Sequence, residues 1–89
     1  MPKKAFYLQL GSASYSTYED AVNALENVYG QYWDSVIKYA QRLCGNIDCA
    51  QDLVQETFCR IVEKIYALHR SGQGYRIEKP KSYFFTTVR

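Results

Sequence analysis

Apolar positions recur along most of this chain at intervals of three and four, the spacing that lays one apolar stripe along an α-helix. Tyr18, Ala21, Val22, Leu25, Val28 and Tyr29 form the first stripe. It is entered through Ser16-x-x-Glu19, a capping box in which the two side chains satisfy backbone N–H groups of the first turn. Gly30 is predicted to bend or divide this helix, because glycine costs about 1 kcal/mol relative to alanine in a helix interior. Trp33, Val36, Ile37, Ala40, Leu43 and Cys44 then predict a helix over 31–44, which Gly45-Asn46 terminates. A second capping box, Asp48-x-x-Gln51, opens the longest predicted helix, over 49–69. On it Ala50, Leu53, Val54, Phe58, Ile61, Ile65 and Leu68 fall within an arc of roughly 140°. Asp52, Gln55, Glu56, Cys59 and Glu63 lie opposite.

The remaining segments carry weaker patterns. Residues 1–16 read as a tail in which Gly11-Ser12-Ala13-Ser14 is loop-like, although Phe6, Tyr7, Leu8 and Leu10 could dock on the rest. Residues 70–79 read as a glycine-containing loop, and Pro80 suits the first turn of a last helix. No alternating strand pattern of useful length stands out, and no internal repeat. The predicted architecture is all-α, a compact bundle of three to four helices occupying 17–89.

A chain of 89 residues is one domain at most and buries about 60–65% of its unfolded surface. With 47% hydrophobic and 22% charged residues it is globular rather than disordered. Its net charge of +2 is unevenly spread. Residues 69–89 hold Arg70, Arg76, Lys79, Lys81 and Arg89 against Glu78, giving 5 − 1 = +4; residues 1–68 hold 6 basic and 8 acidic side chains, giving −2. The three cysteines cannot all pair. The apolar run after Lys3-Lys4 is too short for a signal peptide, and nothing approaches the ~18 apolar residues of a membrane span. A reducing cytoplasm is the expected compartment.

Catalytic machinery is not visible: there is one histidine, no Ser/His/Asp set, no inward carboxylate pair and no phosphate-cradling loop around Gly72-Gln73-Gly74. Cys44-x4-Cys49 with His69 matches no zinc spacing and lacks a fourth ligand, so neither metal nor other cofactor is expected. The acidic face of the long helix has two readings, a solvated surface or a docking surface. Asp52 and Glu56 are like charges at i, i+4, which Glu56–Arg60 offsets, and Cys59 places a greasy residue in mid-stripe. On the last helix Tyr83, Phe84 and Phe85 fan across about 200°. Phe84 and Val88 can share the core, whereas Tyr83 and Phe85 fall on opposite flanks. Those flanks either pack under neighbouring segments or stack on bases, with Tyr75, Arg76, Lys79, Lys81 and Arg89 alongside to meet phosphates.

Ala50-x-Asp52-Leu53-Val54-Gln55-Glu56-Thr57-Phe58-x-Arg60 resembles the core-binding helix of the extracytoplasmic-function (group IV) sigma factors of bacterial RNA polymerase. Pro80-Lys81-Ser82-Tyr83-Phe84-Phe85-Thr86-Thr87-Val88-Arg89 resembles their promoter-melting helix, and Tyr29-x-x-Tyr32 suits their first conserved helix. The resemblance covers about residues 18–89. Phe84 stands where leucine is usual, Tyr83 where tryptophan is, and Thr87-Val88 replaces Ile-Ala. It implies the second conserved region of such a factor, with the helix-turn-helix domain that follows in the family absent from these residues. It further implies that Asp52, Gln55, Glu56 and Arg60 meet the coiled coil of the polymerase β′ clamp. Arg70, Tyr75, Arg76, Lys79, Lys81, Ser82, Tyr83, Phe85, Thr86 and Arg89 would then capture the non-template strand of the −10 element, one flipped base lying in the 70–79 loop. An anti-sigma factor is a further implied partner; a small-molecule substrate is not. The alternative is a sigma-like decoy that binds an anti-sigma factor without touching a promoter.

Overall fold

The computed structural model describes residues 5–88. Four helices carry the chain: α1 (Tyr18–Gln31), α2 (Trp33–Cys44), α3 (Ile47–Arg70) and α4 (Pro80–Val88). Three short strands accompany them, β1 (Tyr7–Leu10), β2 (Ala13–Tyr15) and β3 (Gly74–Ile77), in the sheet order β2-β1-β3. The fold is thus the expected helical bundle with a small sheet added at one side.

The sheet corrects two expectations. Residues 5–15 are not a tail, because Phe6, Leu8 and Leu10 are buried while Tyr7 is exposed and Gln9 only half-buried. That alternation is the mark of a strand with one face on a core. Residues 1–4 lie outside the described residues. The turn between β1 and β2 is Gly11-Ser12, with a positive φ of 64° at the glycine alone, as a type II′ hairpin requires. The expected loop over 70–79 is in part β3, which pairs parallel with β1 from Tyr7↔Gly74 to Leu10↔Ile77. The Gly11 N–H extends that pairing to the Ile77 carbonyl at 2.8 Å. A tyrosine ring explains one glycine here: a Cβ at Gly74 would fall inside the ring of Tyr7.

Helix boundaries shift for local reasons. Thr17, not Ser16, caps α1, its hydroxyl accepting from the Asp20 N–H at 3.2 Å. Asn46 caps α3 two residues before Asp48, its carboxamide oxygen accepting from the Cys49 N–H at 2.7 Å. The division between α1 and α2 falls at Tyr32 rather than Gly30. Tyr32 sits at φ −103°, ψ 6°, ending α1 and capping α2. Gly30 remains helical. Gly45 ends α2 in the left-handed conformation, φ 85°, with its N–H on the Gln41 carbonyl at 2.8 Å.

The core runs through all four helices. Ala21, Ala24, Leu25 and Tyr29 of α1, Val36 and Ala40 of α2, Ala50, Val54, Ile61 and Ile65 of α3, and Phe84 and Val88 of α4 are buried. Ile77 joins them from β3. Among the described residues Thr57 is the one buried polar residue besides, and its hydroxyl donates to the Leu53 carbonyl at 2.7 Å. Tyr29 joins the elements most closely. Its ring meets Phe84 edge-on at 4.8 Å and Phe58 at 5.1 Å, and its hydroxyl donates to the Val54 carbonyl at 2.7 Å. Burial pushes the Tyr29 phenol well above its ordinary value.

Tyr29→Phe keeps the ring and loses the bond. The Val54 carbonyl, inside α3, retains its helical partner, so the cost should be about 1 kcal/mol in urea unfolding. A phenol whose pKa is raised by folding stabilises fully below its unfolded value and loses that contribution as pH rises. Stability should therefore fall above about pH 10, and fall less steeply in Tyr29→Phe. Parallel curves for the two chains between about pH 8 and about pH 11 would contradict the assignment.

Gly74→Ala should cost about 1 kcal/mol, the low end for overpacking, because Tyr7 is half out in solvent and can swing aside. In a Tyr7→Ala background the same change should cost almost nothing. A double-mutant cycle in urea reads the coupling, and additive effects would show that the ring does not lie over the glycine.

Candidate functional site

The exposed side of α3 carries Asp52, Gln55, Glu56, Cys59, Arg60 and Glu63, all open to solvent. They are there because the opposite arc is consumed by the core. Arg60 donates to the Glu56 carboxylate at 2.8 Å, an i, i+4 pair whose side chains are 56% and 59% exposed. Such a pair contributes little to stability. It does hold both side chains in one orientation and mixes the sign of the face, while Asp52 has no ion pair among the described residues. Gln55 and Cys59 also line a shallow groove of about 390 Å³ with Glu26, Tyr29, Gly30, Trp33 and Phe58. The groove is floored by rings from α1, α2 and α3 and edged by Glu26 and Gln55. Its α1 and α2 members are absent from the residues predicted by sequence, since no local spacing connects positions 26, 33 and 55.

The second surface is built on β3 and α4. Pairing with β1 holds β3 in place, and β3 in turn presents Tyr75 and Arg76. Phe84 and Val88 anchor α4, so helical phase turns Ser82 and Thr86 outward and puts Tyr83 and Phe85 on the flanks. Both flanking rings are half-buried against neighbours. Tyr83 meets Tyr75 at 6.2 Å between centroids, and Phe85 meets Tyr39 of α2 edge-on at 5.1 Å. The packing role of these rings is therefore present, and one part of each remains exposed.

The hydroxyls of Tyr75 and Tyr83 lie 3.4 Å apart, and Lys64 of α3 donates to the Tyr75 hydroxyl at 2.9 Å. Burial alone would raise the Tyr75 phenol, but the bonds with Lys64 and Tyr83 and the ammonium charge carry it below its ordinary value. Burial, and then the bond with Tyr75, push the Tyr83 phenol up. Lys64 is a member of this surface that the sequence reading missed. It sits 11 positions before Tyr75, on a different element, with no local signal to link them.

The basic side chains surround the rings. Lys79, Lys81 and Arg76 are exposed; Arg76 faces Glu78 at 3.6 Å, and the Lys81 ammonium stands 6.0 Å from the Phe85 ring centre. The first turn of α4 holds no acid, the nearest in the chain being Glu78, two residues before Pro80. Arg70 stands apart at the end of α3, 6.0 Å from the Tyr66 ring centre. There it borders a wide cleft of about 1030 Å³ with His69, the 71–74 turn, Ala5 and Tyr7. The predicted set is thus split, with Arg70 on the cleft side and the rest on β3 and α4. Arg89 lies outside the described residues.

Among the described residues no three His, Cys, Asp or Glu side chains gather where they could hold a metal ion. No helix among them is long and apolar enough to cross a membrane. The family model described as Sigma-70 region 2 matches residues 28–89, a span that holds both surfaces. No curated protein and no solved structure matches the chain.

Proposed function

The chain belongs to the sigma-70 region 2 family, and from that premise we propose that its two surfaces divide the work of starting transcription. Region 2 of a sigma factor binds the RNA polymerase core and promoter DNA. In this chain the exposed face of α3, through Asp52, Gln55, Glu56 and Arg60, takes the coiled coil of the β′ clamp. The β3–α4 surface takes the −10 element as single strand: Tyr75, Tyr83 and Phe85 supply ring faces, Ser82 and Thr86 supply hydroxyls, and Arg76, Lys79, Lys81 and Arg89 supply charge. Arg70 and the turn after α3 border the place where a flipped base is held. The chain acts as a group IV factor in the bacterial cytoplasm, under the control of an anti-sigma factor.

The observation that carries this reading is the segregation of charge by element. Asp52, Glu56 and Glu63 lie on the solvent side of α3, and the exposed cations Arg76, Lys79 and Lys81 on β3 and the start of α4, so two partners of opposite charge can be held at once. Melting on such a surface is thermodynamic. A surface that binds the opened strand better than the duplex shifts the opening equilibrium by that difference alone.

Asp52→Ala and Gln55→Ala change exposed side chains and should alter folding stability by less than about 0.5 kcal/mol. Affinity for a β′ clamp fragment should fall about tenfold or more in the double variant. Calorimetry showing unchanged affinity would remove these residues from the interface.

Binding to −10-like single-stranded DNA should be weak and steeply salt-dependent, each phosphate contact adding about −0.7 to the log–log slope. Lys81→Ala or Arg76→Ala should make the slope shallower. Alanine at a stacking ring should weaken binding by about 1–3 kcal/mol per base and leave the slope nearly unchanged. Fluorescence anisotropy across a salt series separates the two classes. Equal affinity for duplex and single strand would refute melting, and no binding at low salt would point to a decoy that only sequesters an anti-sigma factor.

A further inference from the structure

Lys64 is exposed on α3, and its ammonium reaches across to the β3–α4 surface. It donates to the Tyr75 hydroxyl at 2.9 Å and stands 4.5 Å from the centre of the Tyr75 ring. A second hydrogen bond, 3.4 Å long, joins the Tyr75 and Tyr83 hydroxyls. Three polar atoms from three elements therefore lie within two hydrogen bonds of one another. Donors outnumber acceptors in this group, since an ammonium brings three protons and each phenol one, and only the hydroxyls accept. The bonds within the group use one ammonium proton and one phenol proton. The other phenol proton has no acceptor among the described residues, and Lys64 has no ion pair there. Because Lys64 is exposed and both rings are only half-buried, the group is open to a ligand. The charges nearby agree. Lys79, one turn before Tyr83, is exposed, and Arg60, one turn before Lys64, is taken up by Glu56 at 2.8 Å. Of the acids, Glu63 is turned from Lys64 by a helical step of about 100°, and Glu78 faces Arg76 at 3.6 Å. A positive group with spare donors and few acceptors matches a tetrahedral anion whose oxygens only accept.

We propose that Lys64, Tyr75 and Tyr83 together form a site for one phosphate group, and that a backbone phosphate of the bound single strand fills it. The inference rests on the strand-binding reading of β3 and α4, and it adds α3 to that surface. Lys64 supplies charge and its spare N–H groups, and the phenol pair supplies one O–H. The two tyrosines act here through their hydroxyl edges, a role phenylalanine cannot fill and one that leaves their ring faces to bases. The phosphate would bridge α3 to the β3–α4 unit, so the strand itself would tie the elements that bind it.

The test uses the whole chain and −10-like single strands, each with one uncharged methylphosphonate linkage at a different position, read by fluorescence anisotropy. In Lys64→Met one linkage that matters to the parent should cease to matter, and the log–log salt slope should become shallower by about 0.7. Lys64→Arg should restore both. Tyr75→Phe combined with Tyr83→Phe keeps the ring faces and removes both hydroxyls; affinity should fall about threefold to tenfold with the slope unchanged. The same linkage profile in the parent and Lys64→Met would overturn the proposal, as would unchanged affinity in the double phenylalanine variant. Inorganic phosphate separates the site from the strand. Titrated against chloride at constant ionic strength, it should shift the Tyr75 and Tyr83 ring protons of the parent in NMR spectra and leave those of Lys64→Met in place. If no oligonucleotide binds the parent, the strand reading falls, and the phosphate titration alone decides the site: shifts no larger than those with chloride overturn it.

Discussion

The buried hydroxyl of Tyr29 is the constraint around which the bundle is organised. A phenol in an apolar core must find an acceptor or cost several times what its ring contributes. Here the acceptor is the Val54 carbonyl in the middle of α3, 2.7 Å away. That bond sets how far along α3 the end of α1 can lie. The ring then serves as the seat for Phe84, the large buried side chain of α4, which meets it edge-on. Trp33, at the start of α2, closes the same cluster at 6.0 Å. All four helices thus take their mutual position from one side chain, and the family match over 28–89 begins one residue before it.

From this follows the relation between the two surfaces. They share α3 as a common beam, the acidic face on its solvent side and Lys64 reaching from it into the β3–α4 cluster. The Lys64–Tyr75–Tyr83 chain runs from an exposed ammonium to two half-buried rings. It therefore fixes rotamers more than it adds stability. Anything seated on the acidic face would hold the same helix that, through Lys64, orients the rings of Tyr75 and Tyr83.

The helical part of the fold was legible because its signal is repeated many times. The stripe on α3 recurs over six turns, and Ala50, Val54, Ile61 and Ile65 are buried as that phase requires. Caps were legible only to within a residue or two, because Ser16 and Thr17, or Asn46 and Asp48, compete for the same role on chemical grounds. Thr57 was passed over because a hydroxyl is not counted as core, although it can satisfy itself within its own helix. The strands were missed for a different reason. Phe6–Leu10 alternates over five residues, too few to separate from chance, and β3 is stabilised by a partner far away in the chain. At the site, the helical phases of α3 and α4 placed the acids and rings well. The contacts of Tyr75 with Lys64 and of Phe85 with Tyr39 are tertiary, and no spacing along the chain announces them.

The parallel pairing of β1 with β3 has a kinetic meaning. It joins a segment near the start of the chain to one near its end, so nearly the whole polypeptide must be organised before the ladder can form. Neighbouring helices α1, α2 and α3 span shorter stretches of chain and can assemble before this ladder zips. The ladder joins two strands of only four residues each, but Leu8, Leu10 and Ile77 on it are buried in the same core as the helices, so its opening exposes part of that core. The strand that carries Tyr75 and Arg76 is held in register by Tyr7–Leu10, which precede the matched span 28–89, so its lifetime in the ordered state is set in part from outside that span.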